Sequence, residues 1–282
     1  MHLGNHQSCR LFVEAGHLSQ LAAHYEEGRN VMWMMLRARP GPYFSLALAQ
    51  DILALARAAR ESLVPIDFWV TGSLTPETFS AGSDFGFFAA AIRSGQRERI
   101  AAYLQACVEC VHAVASGFDT GAITIAMVEG AALGGGFAAA LAHHFVLAQS
   151  DASLGFPEIA CNLFPSMGGY VLAARKGGTR LAEELAGSGA VHAAEWHARH
   201  GLVDQLFSPG EGYLATRTFI DAMRPKLHGM RAMIRARQRM SQLTRAELAE
   251  LTEDWIDAAL AIGEQDLFCM ERLALLQRLP EA

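Results

Sequence analysis

Two glycine-bearing loops hold the residues of this 282-residue chain whose types and spacing could do chemistry. The first is Phe79-Ser80-Ala81-Gly82-Ser83-Asp84, and the second is Glu129-Gly130-Ala131-Ala132-Leu133-Gly134-Gly135-Gly136-Phe137. Three consecutive glycines opening a helix let backbone come very close to a ligand. The helix start also presents unpaired N–H groups and the positive end of a dipole. Such a place suits negative charge, either a phosphate or a developing oxyanion. Neither loop has the Gly-x-x-x-x-Gly-Lys-Ser/Thr form, no lysine lies near the glycines, and the dinucleotide fingerprint fits poorly. Composition therefore favours the oxyanion, with close helix–strand packing as the purely structural alternative.

Cys107 and Cys110 form a Cys-x-x-Cys pair inside a stretch, Arg99 to Ser116, that reads as helix. No second pair lies at zinc-finger spacing, so core packing is the better reading and no metal is expected. Five cysteines without a secretory context are expected to be free thiols in a reducing compartment. A net charge of −6 argues against nucleic acid. With 51% apolar and 18% charged residues, the chain can pack a core, which suits a cytoplasmic enzyme. Met1 to Arg10 shows no signal-peptide pattern. Ala122 to Ala142 is apolar but carries Glu129 near its middle, so no membrane span is expected.

The loops must be held by ordered elements. Val31–Leu36 reads as a strand ended by the Arg39-Pro40-Gly41-Pro42 turn, and Ser45–Glu61 as a helix. Ile66–Val70, Ile123–Val128 and Phe145–Ala148 read as buried strands, with a helix over Gly134–Ala142. Ala193–His200 reads as a short helix capped by Gly201, then Leu202–Phe207 as a strand. From Glu211 onward only helical signals remain. Alternation first and helices last predicts an α/β core with a helical C-terminal segment. The residues show no internal repeat.

Val128–Gly136, Ala81-Gly82-Ser83-Asp84 and Gly155-Phe156-Pro157-Glu158 resemble the three signatures of the crotonase (enoyl-CoA hydratase/isomerase) superfamily. Gly201-Leu202-Val203-Asp204 resembles a fourth, structural one; the set spans about residues 66 to 207 in the family's order. Asn162-Leu163-Phe164-Pro165-Ser166-Met167-Gly168-Gly169-Tyr170 and Arg39-Pro40-Gly41-Pro42-Tyr43-Phe44 are similar to runs of diffusible signal factor synthases, which make cis-2-unsaturated fatty acid signals. The resemblance implies a ββα spiral core over residues 1–208. A helical region over 209–282 would serve oligomerisation, as a homotrimer or hexamer, and cover the acyl pocket.

By the same resemblance, the amides of Ser83 and Gly135 form the oxyanion hole and Glu158 is the catalytic carboxylate. Gly82, Leu133, Gly134, Trp255 and Leu273 contact the acyl substrate; for Trp255 and Leu273 ordinary helix core is the equal alternative. The reaction implied is dehydration of a 3-hydroxyacyl chain on acyl carrier protein, followed by hydrolysis of the thioester. Coenzyme A is the alternative carrier; no further cofactor is implied, and the receiver domain of a sensor kinase is a further partner. Arg93, Arg97 and Arg99 are candidates for a basic rim that would meet an acidic carrier, against the default of solvated helix charges.

One position departs from the pattern. The family's first carboxylate follows the glycine triplet as Gly-Gly-Gly-x-Glu, and here that place is Ala138. Dehydration needs an acceptor for the α-proton and a donor for the leaving hydroxyl, so a single carboxylate must do both in turn. His143 and His144 lie five and six positions from Ala138, on other helix faces. Glu129 reads as structural and Asp84 as a helix cap. Three explanations of Ala138 stand: an engineered Glu→Ala change that impairs the enzyme, a natural one-carboxylate hydratase or isomerase, or a non-catalytic protein that binds acyl chains or a signalling partner.

Overall fold

A hairpin is the first element pair among the described residues. The computed structural model describes residues 18–62 and 64–277; the reading of Met1 to Arg10 lies outside them. β1 (Leu21–Glu26) and β2 (Val31–Leu36) pair antiparallel and close between Glu26 and Val31. The proline-rich turn leads to α1 (Leu46–Glu61), where the Ser45 hydroxyl accepts the Leu48 amide at 3.1 Å and satisfies one orphan donor of the first turn. β3 (Phe68–Ser73) runs parallel to β2, from Phe68 opposite Val31 to Ser73 opposite Leu36. The ladder carries this strand through Gly72 and Ser73, beyond the expected end at Val70, because β2 still offers partners there.

The chain continues through β4 (Thr78–Ser80), α2 (Phe85–Arg93), α3 (Arg97–Ala115), β5 (Ile123–Val128), β6 (Ala131–Leu133) and α4 (Gly135–Leu141). After these come β7 (Phe145–Gln149), β8 (Ser153–Gly155), a 3-10 turn over Pro157–Cys161, α5 (Gly169–Gly177) and α6 (Thr179–Ser188). β9 (Val191–Ala193), α7 (Ala194–Arg199) and β10 (Gln205–Phe207) complete the core. From β3 the backbone thus repeats one unit three times: a long strand, a short strand, a helix. Long strands join a six-stranded sheet of order β1-β2-β3-β5-β7-β10; short ones join a four-stranded sheet of order β4-β6-β8-β9. Equal residue patterns are not needed for this, because each unit buries different neighbours.

The corner between long and short strand is tight. Gly130 takes φ +91°, and a Cβ there would stand 2.0 Å from the Glu77 carbonyl. Glycine alone lets the Ala131 amide reach that carbonyl at 2.8 Å and start β6. Leu202 and Val203 are buried, yet β10 begins only at Gln205. Asp204 first ties to β7 twice: its amide donates to Val146 O at 2.8 Å, and its carboxylate accepts the Val146 amide at 2.7 Å.

From Gly212 the described residues form only helices: α8 (Gly212–Met223), α9 (Leu227–Met240), α10 (Arg245–Ala261) and α11 (Glu264–Leu276), with a 3-10 turn over Arg224–Lys226. Ile220, Met223 and Ile234 of α8 and α9 cover one face of the large sheet. α10 packs on α3, and α11 on α2. Here two of the three candidates for a basic rim fasten helices instead. Arg93 binds Glu264 and Glu271 at 2.8 and 3.0 Å, and Arg97 binds Glu253 and Asp257 at 2.6 and 2.5 Å. Arg99 lies over the Phe87 ring and donates to Gln96. The segment Ala122 to Ala142 is strand, corner, strand and short helix; no helix among the described residues is long and apolar enough to cross a membrane.

Candidate active site

The second unit of the spiral delivers α4 by its N-terminus against two loops. Gly134 precedes the helix with φ +52°, and its amide donates to Gly155 O at 2.9 Å. No side chain fits there: a Cβ on Gly134 would lie 2.5 Å from the nearer Glu158 carboxylate oxygen. On Gly135 it would lie 2.7 Å from Met167 Sδ and 3.0 Å from Ser83 Oγ. On Gly136 it would lie 2.5 Å from Ser80 O. The glycine triplet therefore works as a wedge of bare backbone between the Ser80–Ser83 and Glu158–Met167 loops.

Ser83 and Gly135 face each other across this contact. A Cβ on Gly135 would be 3.5 Å from Ser83 N, and one on Gly82 would be 3.5 Å from Gly135 N and 2.8 Å from Leu133 O. Neither the Ser83 nor the Gly135 amide donates a hydrogen bond within the described residues. Two adjacent, unsatisfied backbone donors in a buried place are costly unless something external accepts from them.

Glu158 stands beside them in the 3-10 turn after β8, only 3% exposed. One carboxylate oxygen, Oε2, is buried with no hydrogen-bond partner. Burial pushes its pKa from 4.5 up to about 7, opposed only by a backbone hydrogen bond. Ala138 lies one helical turn after Gly134 and Gly135, on the same side of α4, and its amide donates to Gly134 O at 3.0 Å. It is completely buried within the main apolar cluster. No group of acidic, histidine or cysteine side chains among the described residues could hold a metal ion.

The remaining acid–base candidates are occupied elsewhere. His143 contacts Ala139 O and Thr71 Oγ1 at 2.9 and 2.8 Å, and burial lowers its pKa to about 3. His144 Nδ1 accepts the Thr124 amide at 3.0 Å, leaving Nε2–H to donate to Ala115 O at 3.1 Å. Glu129 packs against Gly212 at the start of α8. Asp84 caps α2 by accepting the Phe87 amide at 2.9 Å. Cys110 Sγ points to Ala49 O within the core, and burial raises both it and Cys107.

Trp255 is buried, donates its indole N–H to Phe164 O at 3.0 Å and borders a small crevice with Ser166 and Met167. Leu273 is half-buried against the main cluster from α11.

Sequence reasoning missed three residues that shape this place. The Ser166 and Ser83 hydroxyls are hydrogen-bonded at 3.2 Å. The Tyr103 hydroxyl donates to Phe44 O and accepts the Asp84 amide. Gln277, just past α11 and buried, donates its amide to both Ala81 O and Ser83 O at 2.8 Å and accepts from Phe85 N at 3.2 Å. One side chain from the far end of the chain thus fixes the loop that carries Ser83. No local pattern marks it, because a glutamine at a helix end is common and its partners are backbone.

Residues 69–254 match the family model described as enoyl-CoA hydratase/isomerase, a span that holds Ser83, Gly135, Ala138 and Glu158. The chain belongs to the enoyl-CoA hydratase/isomerase family. It is 30% identical over 175 residues to a probable enoyl-CoA hydratase of Mycobacterium avium, covering 61% of this chain and 64% of that one. It matches the fatty acid oxidation complex subunit alpha of Pseudomonas syringae at 32% over 134 residues, 47% of this chain but only 18% of that relative's length. Among solved structures, enoyl-CoA hydratase from Bacillus halodurans superposes with a TM-score of 0.76 at 17% identity, covering 91% of this chain and all of the other. Pseudomonas aeruginosa DspI superposes with a TM-score of 0.64 at 23% identity, covering 85% and 95%. At these identities the likeness extends to the fold, which is the ββα spiral with its helical C-terminal part.

Two predictions follow from the geometry. A carboxyl raised from 4.5 to about 7 is neutral in both states below pH 4.5 and costs nothing there. As pH rises from 4.5 to 7 the unfolded chain ionises first, so folding weakens by about 3 kcal/mol, fully felt above pH 7. Glu158→Gln should therefore gain stability over the native chain progressively across that window in denaturant unfolding; a pH-independent difference would contradict the burial argument. Gln277→Leu leaves Ala81 O, Ser83 O and Phe85 N unpaired and should lose about 1–3 kcal/mol per unsatisfied buried group at most. Its amide-exchange protection should fall at Phe85 before it falls in β5.

Proposed function

We propose that this chain transfers protons on an acyl thioester, with Ser83 and Gly135 as oxyanion donors and Glu158 as the single acid–base group. The observation that carries the reading is the pairing of two unsatisfied amides with a lone buried carboxyl whose pKa sits near 7. Two donors aimed at a thioester oxygen stabilise the enolate formed when the α-proton leaves, and one such donor is worth on the order of 3 kcal/mol. A carboxyl near neutrality can accept that proton and give it back. Returned to a β-hydroxyl, the proton lets water leave and a 2-enoyl thioester forms; returned to the γ-carbon of an enoyl chain, it shifts the double bond.

The signal-synthase form of this reading takes 3-hydroxyacyl groups from acyl carrier protein and ends in a free cis-2-unsaturated acid. It is supported by the run Asn162–Tyr170, which places Ser166 on the Ser83 hydroxyl and Met167 on Gly135. Hydrolysis of the thioester requires activating a water as well, and that step is where a second carboxylate at Ala138 is missed. Coenzyme A is the alternative carrier. The homotrimer or hexamer, the role of residues 209–282 as an acyl-pocket cover and the docking of a receiver domain belong to the same proposal. Phe268, Leu275 and Leu276 of α11 are exposed apolar side chains available to such contacts.

Incubation with 3-hydroxyacyl thioesters on both carriers separates the outcomes. Unsaturated thioester without free acid is the expected product; free acid supports the signal-synthase form, and neither product, with acyl binding intact, supports a binding protein. Glu158→Gln should abolish turnover while retaining acyl binding; undiminished turnover removes Glu158 from the mechanism. Ala138→Glu should raise turnover by roughly 10²- to 10⁴-fold, since the added group acts in the transition state. The gain comes at reduced thermal stability, because the new carboxylate enters a fully buried place. A folded Ala138→Glu chain that binds acyl thioesters without a gain in rate would show that this position lies off the reaction path.

A further inference from the structure

The C-terminal end of α4 opens on a cavity of about 450 Å³. Its lining includes Arg175, Lys176, Arg235, Arg237 and Arg239 and contains no carboxylate. Two of these cations are already matched: Arg175 Nη2 donates to both Glu247 carboxylate oxygens at 2.9 and 2.7 Å, and Lys176 lies 3.6 Å from Asp204. Arg235, Arg237 and Arg239 have no carboxylate partner among the described residues. Arg237 reaches only the His144 carbonyl, at 3.2 Å. Leu141, Ala142, Leu172 and Leu243 give the same cavity an apolar lining.

A structural explanation for the arginines exists and can be weighed. α3, α4 and α9 all end at this cavity, and cations at helix C-termini are favourable. Each end carries at most about half a negative charge, so three ends offset roughly half of three unpaired guanidiniums. The excess is positive, in a chain whose net charge is −6. His144 responds to that field: after burial, Arg237 and Lys176 are what lower its pKa. Two buried donors or acceptors at the wall, Arg175 Nη1 and His112 Nδ1, are also without partners.

We propose that this cavity binds an organic polyphosphate of nucleotide size, its phosphates held by Arg235, Arg237 and Arg239 and its apolar part set against Leu141, Leu172 and Leu243. Guanidinium forks suit phosphate oxygens bidentately, and three of them unclaimed by protein carboxylates call for a multiply charged partner. α4 presents Gly135 at one end and this cavity at the other, roughly 10 Å apart for seven residues. The site is therefore separate from the acyl site and does not depend on the reading given above.

ATP and inorganic pyrophosphate, titrated calorimetrically into the full chain at low ionic strength, are the probes. ATP is used rather than coenzyme A because the latter would also enter the acyl site. ATP should bind saturably at one site per chain, more tightly than pyrophosphate, which cannot use the apolar wall. Arg235→Glu with Arg239→Glu, both exposed positions, should weaken ATP by roughly tenfold or more. The pair Arg235→Gln and Arg239→Gln, with a far-ultraviolet dichroism check, serves if charge reversal perturbs folding. Glu158→Gln should leave ATP binding unchanged. Absence of saturable binding, indifference to both double variants, or loss of ATP binding in Glu158→Gln would overturn the proposal.

Discussion

The structure turns on a place where no side chain can stand. Across Gly134, Gly135 and Gly136 the nearest foreign atoms are a carboxylate oxygen, a thioether sulfur and a carbonyl oxygen, each 2.7 Å or less from where a Cβ would be. Backbone in that wedge brings the amide of Gly135 to the loop of Ser83 and lets Glu158 close over Gly134. A methyl group at Gly136 would meet the Ser80 backbone, at a cost of the kind seen for overpacked cores, about 1–3 kcal/mol; at Gly134 the positive φ strains it, and at Gly135 the Met167 side chain must shift to admit it. The two sheets, the Gly130 corner and the Gln277 clamp can all be understood as holding the walls of this wedge in place.

The same helix divides two electrostatic environments. At its N-terminal end, no cation among the described residues is paired with Glu158, and burial outweighs the one backbone hydrogen bond that opposes it. At its C-terminal end, cations outnumber the helix ends that attract them, and the histidines there stay neutral. Neither environment results from net charge, which is modest and of the opposite sign to the cavity. They result from which loops the spiral brings to each end of a seven-residue helix.

What could be read beforehand follows from range. Strands buried on both faces, such as β5, announce themselves as unbroken apolar runs, and Ile123–Val128 is matched residue for residue. β4, β6, β8 and β9 have three residues each and carry no pattern long enough to detect. The hairpin strand β1 is long enough to carry a pattern, but His24 and Glu26 break its apolar alternation. Ser83, Gly135 and Glu158 were named through the resemblance and the backbone brings them together, whereas Gln277 acts over 194 residues through backbone carbonyls and left no trace in the residue pattern. Arg93 and Arg97 show the converse error: as isolated symbols they suggest a basic face, but the carboxylates that neutralise them lie on helices about 160 residues or more away in the chain.

The lone carboxylate is best understood through what a second one would do. Two carboxylates sharing one apolar enclosure cannot both ionise cheaply; one would be driven further up and the other held as a base. That split assigns separate acid and base roles and permits a water to be activated while the acyl chain stays polarised. With Ala138 in place of the second group, Glu158 remains near neutrality and its two states are nearly balanced. Such a group is suited to taking a proton and returning it to the same substrate, and poorly suited to holding one state while another group acts. On the proposed reading, that favours proton relocation on an enolate, and release of the acyl chain from its carrier is the step that would ask for a second group.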